Sequence, residues 1–215
     1  MSTVILCGMP EEKEVLQEAL PGLLVLSGTD KLNLPLLVPS DCKLIVSMGL
    51  CGGLMPRLPV NAVVIAKSVK DKSGEIATPF DCFHNDYRWF PVYAAPYYSS
   101  GLLDESDTVT QRAALYAKYG AWAMDDETRY AVALAQQRKI GFGVLRAVSD
   151  DWTETLPLAA TGAILNKDGT ANISYLIASL AKQPEQIPQL FKIARDFVTS
   201  LQALKAAATA CRGFL

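Results

Sequence analysis

IGFGVLRAVSDDW, residues 140–152, decides the fold. Within it, 144–148 is an apolar, β-branched run that reads as a buried strand, and Ser149, Asp150 and Asp151 follow where the run ends. In an open parallel α/β sheet, ligands sit outside the carboxyl ends of the strands. A carboxylate placed there faces a cleft, which makes Asp150 a candidate acid or base. The competing reading is that one of these three residues caps a helix or starts a turn.

The same arrangement recurs elsewhere. TVILC at 3–7 reads as a buried strand ending at Gly8, and Pro10 then stands at a favourable first helical position. Glu11, Glu12 and Glu14 fall in that first turn, where the helix dipole favours anions. Glu12 reads either as a solvated first-turn residue or as a carboxylate facing the same cleft as Asp150. KLIVSM at 43–48 is a further strand, followed by Gly49-Leu50-Cys51-Gly52-Gly53. Glycines there let backbone N–H groups approach a ligand closely, although a plain tight turn explains them too. The segment is neither G-x-G-x-x-G nor a P-loop. A short strand at 121–124 precedes Asp125-Asp126-Glu127, which read as opening a helix to about 137.

Further strands fall at 23–26, 59–69 and 97–103, and an amphipathic helix at 110–118 is capped by Thr108 or Thr110 and closed by Gly120. An Asp-Gly turn at 168–169 precedes helices at 173–181 and 185–208, the second with Pro188 in its first turn. Eight aromatic residues and the only histidine, His84, crowd 80–98, as packing or as a cover over an apolar ligand. A lone histidine is more often structural than catalytic. Strands alternating with helices predict an α/β fold: one three-layer domain over 1–215, with a mixed, largely parallel twisted sheet flanked by helices.

Composition narrows the classes. The 20 basic and 22 acidic residues give a net charge of −2, with no basic run, so no nucleic-acid partner is expected. Cys7, Cys42, Cys51, Cys82 and Cys211 are scattered and lack C-x-x-C spacing. They read as small buried hydrophobes in a reducing compartment, with no metal site. No basic leader with a long apolar stretch is present, and no apolar run approaches the roughly 18 residues of a membrane span. The expectation is a cytoplasmic globular protein.

Taken together, these strand-end motifs resemble the purine and uridine phosphorylase superfamily, which includes the methylthioadenosine/S-adenosylhomocysteine nucleosidases. CGMPEE fills the place of that family's strand and glutamate-bearing helix start. GLCGG at 49–53 matches Gly-x-Ala-Gly-Gly, with Cys51 in the alanine place. Met124-Asp125-Asp126-Glu127-Thr128 occupies the frame of Val-Glu-Met-Glu-Ala, and Arg146-Ala147-Val148-Ser149-Asp150 that of Arg-Ala-Ile-Ser-Asp. The tail, with its Leu-Pro start, Asp-Gly turn and Pro184-Glu185-Gln186-Ile187-Pro188-Gln189-Leu190, is similar to that of bacterial hopanoid-associated phosphorylases.

The resemblance implies cleavage of an N-ribosidic bond, as in removal of adenine from adenosylhopane during hopanoid synthesis. The alternatives are a nucleosidase for small 5′-thio-adenosines and a non-catalytic nucleoside-binding protein. By the same resemblance, Asp150 addresses purine N7, Glu127 takes the ribose hydroxyls, and Glu12 positions an attacking water. Gly8, Gly49, Cys51, Gly52 and Gly53 line the water or phosphate pocket, and Asp104, Glu105, Ser149 and Trp152 surround the base. Asp126 stands in the methionine place, so Asp125 or Asp126 is an alternative sugar-binding acid. Leu50 replaces the usual Thr or Ser, and phosphate-holding arginines have no clear counterpart, so water rivals phosphate as nucleophile. No cofactor is implied beyond phosphate as a possible co-substrate. The expected partners are an adenine nucleoside, in the hopanoid case lipid-linked, and further copies of the chain in a homo-oligomer. A lipid substrate also implies peripheral contact with a membrane surface.

Overall fold

A computed structural model describes residues 2–77, 92–99, 108–154 and 187–215. In chain order these form β1 (Ser2–Leu6), α1 (Pro10–Ala19), β2 (Leu24–Leu26), α2 (Leu34–Leu37), β3 (Cys42–Gly53), β4 (Val63–Asp71), β5 (Gly74–Ala77), β6 (Val92–Ser99), α3 (Val109–Tyr119), β7 (Ala123–Asp125), α4 (Thr128–Arg138), β8 (Gly141–Asp150) and α5 (Ile187–Cys211). The strands make one mixed sheet in the order β2-β1-β3-β7-β6-β4-β5, with β8 pairing both β3 and β4. Parallel pairs are β1–β2, β1–β3, β3–β8, β4–β6 and β6–β7; β3–β7, β4–β5 and β4–β8 run antiparallel.

The expected α/β architecture is the one observed, with one addition. The pairings β3–β8–β4–β6–β7–β3 form a closed circuit, so the middle of the sheet curls into a small barrel. Val64, Ala66, Tyr97, Ala123, Val144 and Val148 belong to one core cluster with the buried face of α4. On the other face, Leu16 and Ala19 of α1 and Leu204, Ala207 and Ala208 of α5 pack on Val46, Met48 and Leu145. The alanines of α5 let its backbone lie close to the sheet, and Ser200 Oγ donates to Val148 O at 2.7 Å. Thr3 Oγ1 donates to Leu215 O at 2.7 Å, which ties the end of the chain to β1.

Boundaries shift where tertiary pairing outweighs local pattern. The glycine-rich segment expected as a loop is the end of β3, because β8 and β7 bond to it. Ser149 and Asp150 likewise lie within β8. The acids expected to open a helix precede it: Asp125 ends β7, and α4 starts at Thr128. β4 begins at Val63 and extends to Asp71, and β6 begins at Val92. Thr108 caps α3 by accepting from Gln111 N–H, and Gly120 ends it at φ 63°, a left-handed conformation suited to glycine. His84, the aromatics of 80–90, Asp104, Glu105, the 168–169 turn and the helix at 173–181 lie outside the described residues. Of the tail motif, only 187–190 falls within them. Among the described residues no helix is long and apolar enough to cross a membrane.

Candidate active site

Glu12 is 1 % exposed, not solvated, and the local sequence explains why. Pro10 starts α1 without needing an N–H donor, and Met9 at the N-cap supplies no side-chain cap bond. Glu12, one turn in, fills that role by reaching back. Its Oε2 accepts from Gly8 N–H at 2.6 Å and Met9 N–H at 3.1 Å. Its Oε1 crosses to β3 and accepts from Leu50 N–H at 2.7 Å. The carboxyl lies over Gly49, where a Cβ would stand 2.6 Å from Glu12 Oε2 and 2.6 Å from Arg146 Nη1. Only glycine fits there.

Arg146 is the fully buried cation of this group, opposite Gly49 in the β3–β8 register. Its Nη2 pairs with Asp125 at 2.5 Å and donates to Ser47 Oγ at 2.6 Å; its Nη1 donates to Leu50 O at 3.1 Å and stands 3.8 Å from Glu127 Oε2. Asp125 accepts further from Ser99 Oγ at 2.9 Å, Thr128 Oγ1 at 2.6 Å and Thr128 N–H at 3.3 Å. Asp125 is therefore occupied on both oxygens by the protein itself. Glu127, whose side chain is 21 % exposed, is the acid of this group with a face toward solvent.

Gly8 joins the two glutamates. A Cβ placed on it would lie 3.2 Å from Glu127 Oε2 and 3.3 Å from Glu12 Oε2, so both oxygens would touch one methyl group. Burial pushes the Glu127 carboxyl up to about 7; Arg146 opposes this, and the nearby Asp125 and Glu12 charges reinforce it. Burial raises Glu12 as well, against the pull of Arg146 and the three N–H donors. Burial works against the Arg146 charge too, but Asp125, Glu127 and Glu12 hold it firmly protonated. Two carboxyls of unequal exposure, sharing one trapped cation, can divide a base's work from a hydroxyl acceptor's.

A second polar group stands three residues farther along β3. The β3–β8 register shifts at Gly52, which pairs with Asp150 and leaves Ser149 as the extra residue. Asp150 Oδ2 pairs with Arg112 Nη2, and Oδ1 accepts from Ser149 Oγ at 2.7 Å. Arg112, from α3, also donates through Nη1 to Asp151 O at 2.8 Å and Gly53 O at 3.3 Å. Gly49 and Gly52 stand about 10 Å apart along β3. The structure thus gathers Glu12, Glu127, Gly8 and Gly49 around Arg146 and sets Asp150 and Ser149 beyond them. Cys51 lies between the two groups, 4 % exposed, its thiol within the fields of both Arg146 and Asp150. Burial pushes that thiol's pKa up, and it packs in the core.

Gly53 packs against the Asp150 and Asp151 main chain, and Trp152 is half-buried in the turn that follows. Asp126, half-buried at 126, has partners of its own. Sequence reasoning gave no role to Arg146 or Arg112. An arginine inside an apolar strand pattern is the signal for the first, since a buried charge requires a counter-charge. Arg112 sits in an ordinary amphipathic helix and carries no such mark. Among the described residues no cluster of three or more His, Cys, Asp or Glu has metal-binding geometry.

No protein-family model and no curated protein matches the sequence. Solved structures do match. A 5′-methylthioadenosine/S-adenosylhomocysteine nucleosidase from Colwellia psychrerythraea, in complex with adenine, aligns with a TM-score of 0.60 at 14% identity over 84% of this chain and 96% of that one. Futalosine hydrolase of Helicobacter pylori aligns with a TM-score of 0.57 at 13% identity over 84% of this chain and 97% of that one. A Plasmodium knowlesi homologue of P. falciparum PNP gives 0.55 at 14% identity, covering 85% and 87%. The chain thus has the nucleoside phosphorylase/nucleosidase fold.

Proposed function

We propose that the protein cleaves the N-ribosidic bond of an adenine nucleoside, with water as the nucleophile. The observation that carries this reading is the meeting of Glu12 and Glu127 over Gly8, beside Arg146. Breaking the bond leaves the sugar with oxocarbenium character, which fixed negative charge nearby stabilises. Glu127 accepts hydrogen bonds from the vicinal ribose hydroxyls through its exposed face. Glu12, held rigidly by three N–H donors, orients a water toward the anomeric carbon and takes its proton. Asp150 binds the imidazole and amino edge of the departing base, about 10 Å away along β3, with the nucleoside lying across the strand end. Three carboxylates against one guanidinium already paired with Asp125 disfavour a phosphate dianion in the same place.

The 5′ substituent is proposed from the tail at 156–204, which resembles that of hopanoid-associated phosphorylases: an apolar, lipid-like group. The test is free-base release from adenosine, methylthioadenosine and an adenosine bearing a bulky apolar 5′ group, each with and without phosphate. Phosphate-independent adenine release supports hydrolysis, and fastest turnover of the apolar substrate supports the lipid assignment. Methylthioadenosine turning over fastest would replace the lipid by a small thioether. Binding without release would leave a nucleoside-binding protein.

A further inference from the structure

We propose that Glu127 holds a proton in the free protein and releases it when the vicinal ribose hydroxyls bind, so that nucleoside binding is a proton-linked step. This rests on the reading of Glu127 as the acceptor for those hydroxyls. The three carboxyls around Arg146 are not equally served. Asp125 takes Arg146 Nη2 at 2.5 Å and accepts further from Ser99 and Thr128. Glu12 accepts from three backbone N–H groups, all of which favour its ionised form. Glu127 is the one left short. Among the described residues nothing donates a hydrogen bond to its carboxyl, and Arg146 Nη1 stands off at 3.8 Å. Its side chain is nevertheless only 21 % exposed. A mostly buried carboxylate without donors is costly to keep ionised, and a proton relieves it.

The surrounding charges act in the same direction. From the described elements, Glu127 faces Arg146 of β8, Asp125 of β7, Glu12 of α1 and Asp126 of the turn before α4, with the uncharged Cys7 thiol and Tyr97 hydroxyl as further neighbours. Three acids outnumber the one cation, and Asp125 already occupies it. Burial adds to this excess and pushes the Glu127 carboxyl up to about 7. Two ribose hydroxyls reverse the balance. Each brings an O–H donor to the exposed edge, and the ionised carboxylate accepts both, one on each oxygen. The displaced proton leaves to solvent by the same edge. Glu127 thereby becomes a fixed negative charge beside the sugar only when a nucleoside is seated.

The test uses carbocyclic adenosine, in which a methylene replaces the ring oxygen so that no oxocarbenium forms, and its 2′,3′-dideoxy counterpart. Binding enthalpies are measured by calorimetry in two phosphate-free buffers of different ionisation enthalpy, which gives the protons released per ligand bound. With a carboxyl titrating near 7, the wild type is expected to release about 0.9 proton at pH 6, about 0.5 at pH 7 and about 0.1 at pH 8 on binding the diol. Its affinity for the diol should be about tenfold weaker at pH 6 than at pH 8. The dideoxy compound on the wild type, and the diol on E127Q, release none and bind with level affinity across that range. Equal release by the two compounds places the proton elsewhere and overturns the proposal, as does release that survives in E127Q. Should E127Q fail to fold, the comparison of the two compounds on the wild type carries the test. If the wild type cleaves adenosine yet binds the diol without releasing a proton, this inference alone falls. If it neither binds carbocyclic adenosine nor cleaves adenosine, the ribose-acceptor reading falls with it.

Discussion

Gly49→Ala is the sharpest test of how the two glutamates and Arg146 are held. The added Cβ would stand 2.6 Å from Arg146 Nη1, 2.6 Å from Glu12 Oε2 and 2.9 Å from Glu12 Cδ, distances real side chains essentially never show. Neither neighbour yields cheaply. Glu12 is fixed by three N–H donors and Arg146 by Asp125, Ser47 and Leu50 O. Overpacking a buried position costs about 1–3 kcal/mol, and loosening a charge-assisted hydrogen bond about 1.5–3 kcal/mol more. At roughly 2–4 °C per kcal/mol for a chain of this size, the melting temperature should fall by roughly 5–24 °C. Thermal unfolding followed by circular dichroism reads this directly, with Gly213→Ala, where a Cβ meets nothing within 4 Å, as the control. A Gly49→Ala protein that melts with the wild type would refute the close stacking of Glu12 and Arg146 on β3.

Other consequences follow from the same group. Arg146→Met strands Asp125, Glu12 and Glu127 without their shared cation and should cost about 3–5 kcal/mol in urea unfolding, part of it recovered in the double variant with Asp125→Asn. Glu127 is raised from 4.5 to about 7 on folding, so the native state holds that proton more tightly than the unfolded chain. Its stabilising contribution is full below pH 4.5 and is lost as pH rises through about 7. E127Q lacks this loss, so its melting temperature should gain on the wild type across that window; a constant difference would contradict the shift. Leu204→Ala empties a fully buried site between α5 and the sheet and should cost about 2–5 kcal/mol, read by denaturant midpoint.

What the sequence made legible was the set of carboxylates that follow strands. Glu12 could be found because Gly8 and Pro10 end a strand and begin a helix within a few residues, and Glu127 because acids cluster before an amphipathic stretch. Its limits were set by distance along the chain. The barrel closure depends on antiparallel pairs such as Gly52 with Met124 and Val64 with Arg146, which no local pattern records. The glycine segment looked like a loop because glycine is poor in strands, yet here it must be strand so that Glu12 and Arg146 can lie against its backbone. Asp125 looked like a helix-opening acid, but its partners Arg146, Ser99 and Thr128 come together only in the folded sheet. Arg112 reads as one more charge on a helix until α3 is placed beside the end of β8.

The central claim is that Glu12 and Glu127 act together on one ribose. The direct measurement is the rate of adenine release from adenosine in phosphate-free buffer for the wild type, E12Q, E127Q and the double variant. The account predicts a loss of about 10²- to 10⁴-fold in each single variant, with the double variant no slower than the worse single one, since the two residues serve one step. Wild-type turnover in either single variant would contradict it.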